Sequence, residues 1–208
     1  GLVGPNGVGK STLIKTIMGL IKPNSGDIQI WGKPFKKVLQ KIAYVPQRES
    51  VDWDFPASVM DVALMGTYSK KNMLKRTSKS DKEIALNALK EVELEDYSNR
   101  QISELSGGQQ QRTFLARALA QKANLYLMDE PFAGVDSASE QKIIQTLKSR
   151  RDQGETLLVV HHDLHAVRAY FDEVILLNQS VIAHGPVAEV FNEENLGRTY
   201  GQNMLIFK

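Results

Sequence analysis

Eight residues near the start of the chain restrict its fold more than any other feature: Gly4-Pro5-Asn6-Gly7-Val8-Gly9-Lys10-Ser11 fits the pattern G-x-x-x-x-G-K-S/T. The apolar Gly1-Leu2-Val3 precedes it and a helical spacing over residues 10–20 follows. A strand, a glycine-rich turn and a helix in that order make a cradle. Consecutive backbone N–H groups turn inward around an anion, and the helix start adds partial positive charge. Lys10 then bridges the β- and γ-phosphates of a nucleotide, the Ser11 hydroxyl ligates Mg²⁺, and Thr12 adds a hydroxyl near the α-phosphate. A glycine-rich turn alone would account for the glycines but not for Lys-Ser at that offset.

Downstream, helical and strand periods alternate, which predicts an α/β fold with a mostly parallel sheet covered by helices. Strands are predicted at 28–31 and at 42–45, the latter closed by Pro46. Helices follow at 59–65, at 81–92 with Ser80 and Glu83 as a capping box, and at 109–121. An apolar strand at 125–128 ends in Asp129-Glu130. Ser137 with Glu140 caps a helix containing Ile143, Ile144 and Leu147, and Gly154 lies just past its end. A strand at 156–160 runs into His161-His162-Asp163; a hairpin at 174–177 and 181–183 follows, and Pro186 opens a short helix to Phe191. The reading is one domain over 1–208, with a core from 1–46 and 123–208 and a helical subdomain over about 47–122. Its first strand is read as the last residues of a longer one, so the domain is expected to be N-terminally truncated.

With 42% hydrophobic and 24% charged residues the composition is that of an ordinary globular chain. Lys and Arg total 26 against 24 Asp and Glu, and a net charge of +2 does not predict a nucleic-acid or anionic-membrane partner. The absence of cysteine excludes a disulfide scaffold, a thiolate metal site and a cysteine nucleophile, and points to the cytosol. No apolar stretch approaches the roughly 20 residues that cross a bilayer, so any span is expected from another chain. Lys70, Lys71, Lys75, Arg76, Lys79 and Lys82 form a basic cluster read as a solvated loop and helix face, the alternative being an anionic partner.

The acids ending the 125–128 strand divide two tasks. Asp129 is placed to hold the magnesium that Ser11 also touches, and Glu130 to act as general base for an attacking water. His161, His162, Asp163 and His165 invite a metal-site reading, but neighbouring residues on a strand point to opposite faces, so the two adjacent histidines are not expected to share an ion. Ser106 followed by two glycines before a helix reads as a second anion-binding helix start.

Leu105-Ser106-Gly107-Gly108-Gln109 resembles the signature motif of ABC-type ATPases. Gln47 resembles the family's Q-loop, Ala133-Gly134-Val135-Asp136 its D-loop, and His162 its switch histidine. The resemblance implies a P-loop NTPase fold with a helical signature-motif subdomain and missing N-terminal strands, with ATP and Mg²⁺ as cofactors. It implies that Gly4, Pro5, Asn6, Gly7, Val8, Gly9, Lys10, Ser11 and Thr12 bind nucleotide, and that Ser11, Gln47 and Asp129 surround the magnesium. Glu130, His162 and Gln47 would be catalytic. His162 would hydrogen-bond the γ-phosphate and align Glu130 with the water, and Gln47 would report nucleotide state. Ser106, Gly107, Gly108, Gln109 and Asp136 would act in trans, on a nucleotide held by a second copy in a head-to-tail homodimer. The aromatic residue with which the family stacks on adenine lies upstream of the phosphate loop, where this chain has three residues.

Residues 51–56 and 59–66, Val160-His161-His162-Asp163-Leu164, and Asn195-Leu196-Gly197-Arg198-Thr199-Tyr200-Gly201 are similar to the ATPase subunits of manganese, zinc and iron importers. That similarity implies a subunit at the cytoplasmic face of the cell membrane, driving metal-ion import through an integral membrane permease that docks near residues 47–66. An extracytoplasmic metal-binding protein would take part indirectly, and no nucleic acid. The alternatives are a soluble ABC-type ATPase acting on ribosomes or nucleic acid, and an exporter subunit. The stretch between Lys10 and Asp129 has no heptad run of the kind that a coiled-coil nucleic-acid ATPase requires.

Overall fold

A computed structural model describes residues 1–70 and 77–201. The chain divides into two compact units, one of Gly1–Lys37 with Leu158–Lys208 and one of Val38–Leu157. Strands that flank the helical segment fall here with the helices, whereas the sequence reading groups 1–46 with 123–208.

The first unit opens with β1 (Leu2–Val3), both side chains fully buried, followed by the glycine-rich turn and α1 (Lys10–Ile17). The helix stops short of the predicted residue 20 because Gly19 takes a left-handed φ of 69°. The predicted strand at 28–31 is half of a small antiparallel hairpin, β2 (Gln29–Ile30) with β3 (Lys33–Pro34). Trp31 and Gly32 form its turn with φ of 52° and 69°, the positive values that match the twist of paired strands.

The second unit holds β4 (Ile42–Val45), α2 (Val59–Met65), α3 (Lys79–Glu91), α4 (Gly107–Ala120), β5 (Leu125–Asp129) and α5 (Ser137–Asp152). Strands β4 and β5 run parallel, with Ile42 opposite Leu125 and Val45 opposite Met128. Every residue of β5 is buried, as expected of a strand covered on both faces. Helices α2, α3 and α4 pack on one another and bury Val59, Val62, Leu89, Leu115 and Leu119.

Two caps differ from the sequence reading. The capping box of α3 is Ser78 with Asp81, not Ser80 with Glu83. The Asp81 carboxylate accepts the Ser78 N–H at 2.7 Å and its hydroxyl at 2.6 Å. The two S-x-x-acid patterns overlap, and the earlier one adds more than half a turn of helix. Helix α5 is capped by Asp136, which accepts the Ser139 N–H at 3.0 Å, so Ser137 lies inside the helix. A carboxylate is the stronger acceptor of the two. Helix α4 likewise begins earlier than predicted, at Gly107.

Strand β6 (Thr156–Val160) runs from the second unit back into the first, where α6 (Leu164–Tyr170), β7 (Glu173–Asn178), β8 (Ser180–Pro186), α7 (Val187–Val190) and α8 (Glu193–Tyr200) follow. Pro186 closes β8 and is the N-cap of α7 rather than its first residue. Strand β1 pairs in parallel with both β6 and β7, Leu2 lying opposite Val160 and Ile175, while β8 returns antiparallel. A core of Val3, Val167, Val174, Leu176, Phe191 and Leu196 covers one side. The architecture is the predicted α/β fold with mostly parallel pairing, and the phosphate loop springs from the end of an inner strand. Of the basic cluster, Lys79 and Lys82 are exposed on α3; Lys71, Lys75, Arg76 and the Lys70 side chain lie outside the described residues. Among the described residues no helix is long and apolar enough to cross a membrane.

Candidate active site

The phosphate loop in the first unit is built by three different constraints. A Cβ on Gly4 would lie 2.0 Å from the Leu177 carbonyl oxygen, so the chain leaves β1 against the backbone of β7 only with glycine there. Gly7 and Gly9 meet no such obstacle, but hold φ of 79° and 104°, which side chains strain to adopt. Lys10 is buried, and its ammonium donates to the carbonyls of Gly4 and Pro5, both at 2.8 Å. No side chain caps the start of α1 and no acid lies in its first turn, which leaves the helix start electropositive. Ser11 is half-buried and Thr12 is exposed beside it; Asn6 is exposed, Pro5 and Val8 half-buried.

His162 also belongs to the first unit. It is exposed, whereas His161 is buried, as the alternation beyond β6 predicted. The His161 ring packs 5.7 Å from both Tyr170 and Phe171, and the His161 backbone N–H donates to the Leu2 carbonyl at 3.2 Å. Burial, with the His162 charge beside it, lowers its pKa to about 4. Among the described residues no group of three His, Cys, Asp or Glu is placed to hold a metal ion.

The second unit brings the remaining motifs together. Asp129 ends β5 and is 1% exposed. It contributes, after burial itself, to raising the Tyr44 hydroxyl to about 12. Glu130, one residue on, is half-buried and holds a left-handed φ of 51°. That conformation costs a non-glycine residue on the order of 1–2 kcal/mol and turns the chain sharply out of the strand. Gln47 follows β4 in extended backbone, and its carbonyl accepts the Ser50 hydroxyl at 2.7 Å.

Ser106 is exposed and starts α4 through a capping box: its hydroxyl accepts the Gln109 N–H at 3.4 Å while the Gln109 side chain accepts the Ser106 N–H at 3.0 Å. A Cβ on Gly108 would lie 2.3 Å from the Gly134 carbonyl, so the signature and D-loop backbones touch at that glycine. Asp136 is exposed, and its bond from Ser139 holds its carboxyl below the usual range.

Sequence reasoning passed over the side chains that join these motifs. Gln111, fully buried on α4, donates to the carbonyls of Pro46 at 3.3 Å and Glu130 at 3.5 Å, the residues flanking Gln47 and carrying the acid. Arg117 and Gln121 donate to the carbonyls of Tyr44 at 3.0 Å and Ile42 at 2.6 Å. Alternate carbonyls of β4 and its extension are thus satisfied from one helix face. The available signal is three long polar side chains, Gln111, Arg117 and Gln121, spread along the segment that follows the signature glycines.

The ABC transporter family profile matches residues 1–133. The chain is 56% identical, over all of its length and 83% of the relative's, to the manganese transport system ATP-binding protein MntB of Bacillus subtilis. It belongs to the ABC transporter family. Over 96% of its length it is also 56% identical to the zinc transport system ATP-binding protein TroB of Treponema pallidum, covering 75% of that protein. Among solved structures it is similar to a dimeric bacterial ABC transporter cassette, with a TM-score of 0.79 and 31% identity over 89% of this chain and 84% of the other. A post-hydrolysis dimer of that cassette bound to ADP and phosphate matches with a TM-score of 0.77. The fold is that of the P-loop NTPases, and the chain is an ABC-type ATPase that binds nucleotide.

Proposed function

We propose that this ABC ATPase powers import of a metal ion, manganese, zinc or iron, through a separate membrane permease. The observation that carries the reading is the 56% identity, spread over the whole chain, to a manganese transport ATP-binding protein. The zinc transport relative supports the same class, and both favour it over a ribosome or nucleic-acid ATPase or an exporter.

In this reading the amides around Gly7 and Gly9, the start of α1 and the Lys10 ammonium hold the β- and γ-phosphates. Lys10, now on the loop's own carbonyls, turns to the incoming oxyanions. Ser11, Gln47 and Asp129 offer a hydroxyl, an amide oxygen and a carboxylate, hard oxygen donors that fit Mg²⁺. When bound, that ion neutralises phosphate charge. Glu130 takes a proton from the water that attacks the γ-phosphorus, the bond to the ADP oxygen breaks, and ADP leaves as an anion. His162 orients the γ-phosphate and the water. Ser106, Gly107, Gly108, Gln109 and Asp136 face the nucleotide of a second copy in a two-fold homodimer. The permease docks near residues 47–66, next to the exposed Met65 and Tyr68, at the cytoplasmic face of the cell membrane. An extracytoplasmic binding protein delivers the ion.

Glu130→Gln is expected to retain ATP binding, abolish turnover and stop metal uptake by cells that depend on this subunit. Turnover near the parent rate would overturn the role of Glu130. Uptake of manganese, zinc and iron unchanged by the substitution would overturn metal import.

A further inference from the structure

The residue after Gln47 has no part in the chemistry above, yet it reaches the signature motif. The Arg48 guanidinium donates to the Gln110 side-chain oxygen from Nη2 at 3.0 Å and from Nε at 3.3 Å. It lies so close to α4 that a Cβ on Gly107 would come within 2.9 Å of its Nε. Gln110, buried, passes the link on by donating to the Ile102 carbonyl at 3.2 Å. On its other side Arg48 is held by Trp53. The indole N–H donates to the Arg48 carbonyl at 2.9 Å, and the indole ring stands edge-on to Phe114 of α4 at 5.1 Å. Arg48 therefore ties the start of the segment after Gln47 to the first turn of the helix that Ser106 caps, and Trp53 ties its other end to Phe114 about two turns further along.

We propose that Arg48 is a positioning residue that makes the Gln47 segment and the signature start move as one body. The inference rests on the functional reading above, in which the first meets the permease and the second the partner's nucleotide. Two N–H groups of one cation converge on a single amide oxygen, and a bond from a charged donor is stronger than one between neutral groups. Gly107 then has a reason apart from any nucleotide: a side chain there would displace the fork. The segment and the helix start are consequently coupled without the phosphate loop, and ATP affinity is predicted to be separable from turnover.

The test uses the full-length subunit. Arg48→Ala is expected to lower kcat roughly tenfold while KM for ATP stays within about twofold, because affinity resides in Gly4–Thr12 while turnover depends on alignment. Gln110→Ala is expected to do the same, and the double variant to fall no further than either single one. Amide hydrogen exchange provides a readout independent of activity: Arg48→Ala speeds exchange over 106–112, and Gln110→Ala speeds it over 47–53. Unchanged kcat in Arg48→Ala, multiplicative losses in the double variant, or exchange unchanged in the opposite segment would each overturn the proposal. If instead the parent and Glu130→Gln hydrolyse ATP alike, the functional reading fails, and exchange alone decides whether Arg48 couples the two segments.

Discussion

A methyl group added at Gly4 would meet the Leu177 carbonyl at 2.0 Å, whereas one added at Gly7 would meet nothing within 4 Å. Gly4→Ala is therefore expected to cost about 3 kcal/mol or more, since backbone must move, and Gly7→Ala only the left-handed strain of about 1–2 kcal/mol. Urea unfolding of both variants checks this, and equal losses would contradict it. The motif fixes Gly4 by spacing and leaves Gly7 at one of its variable positions. The reason for Gly4 is not legible there, because the obstacle comes from Leu177, far along the chain. His161 carries a second test. Its pKa is lowered to about 4 by burial and by His162, against about 6.5 when unfolded. Between those values the unfolded chain binds the proton and the folded one does not, so stability is full above pH 6.5 and falls as pH drops toward 4. The loss at the lower end is on the order of 3 kcal/mol. His161→Phe, which keeps the ring packed on Tyr170 and Phe171, is expected to flatten that slope in unfolding measured from pH 7 to 4. A slope as steep as the parent's would assign the dependence to other groups.

At the level of elements, α4 carries the signature motif on its first turn and supports β4 along its length. The carbonyls of Ile42, Tyr44 and Pro46 accept from Gln121, Arg117 and Gln111. Side-chain donors thus occupy backbone groups that would otherwise be open to another strand. The Arg117 guanidinium is also stacked 4.4 Å over the Phe114 ring, and burial lowers its pKa. Arg117→Ala is expected to destabilise by about 2–3 kcal/mol, through the lost charge-assisted bond, the lost cation–π contact and an orphaned carbonyl. Arg117→Lys should recover less than half, because a lysine cannot stack and donate at once. Thermal unfolding of the two variants decides it; full recovery by lysine would reduce the effect to charge. The elements themselves were largely readable. Periodicity located β4, α2 and β6 to the residue, since each is bounded by a proline, a cap or a glycine. The caps of α3 and α5 lie one or two residues before the positions that the sequence pattern predicts, because competing Ser and Asp patterns overlap there. The clamp on β4 is not legible in the sequence, because nothing in the spacing of Gln111, Arg117 and Gln121 shows which strand lies against them.

For the whole molecule, the exposure of the motif residues is the informative observation. Ser106, Gly134 and Asp136 are exposed although Gly108 and Gly134 bring their loops into backbone contact. A surface so tightly built yet left open is suited to being covered, which agrees with action on a second copy's nucleotide. Ser106→Arg separates this from a purely local role. Locally the substitution removes an N-cap, worth about 1 kcal/mol, and changes no residue of the phosphate loop. Across a dimer it fills the space reserved for the partner's γ-phosphate. In a Glu130→Gln background, where ATP persists, the Ser106→Arg protein is expected to bind ATP with the affinity of its parent and to elute as a monomer, while the parent elutes as a dimer. Because both copies carry the change, a single substitution blocks both composite sites, and an equal mixture with the parent should not restore more than one of them. A dimer of ordinary stability in the doubly substituted protein would show that Ser106 serves α4 alone, and would remove the signature motif from the nucleotide site.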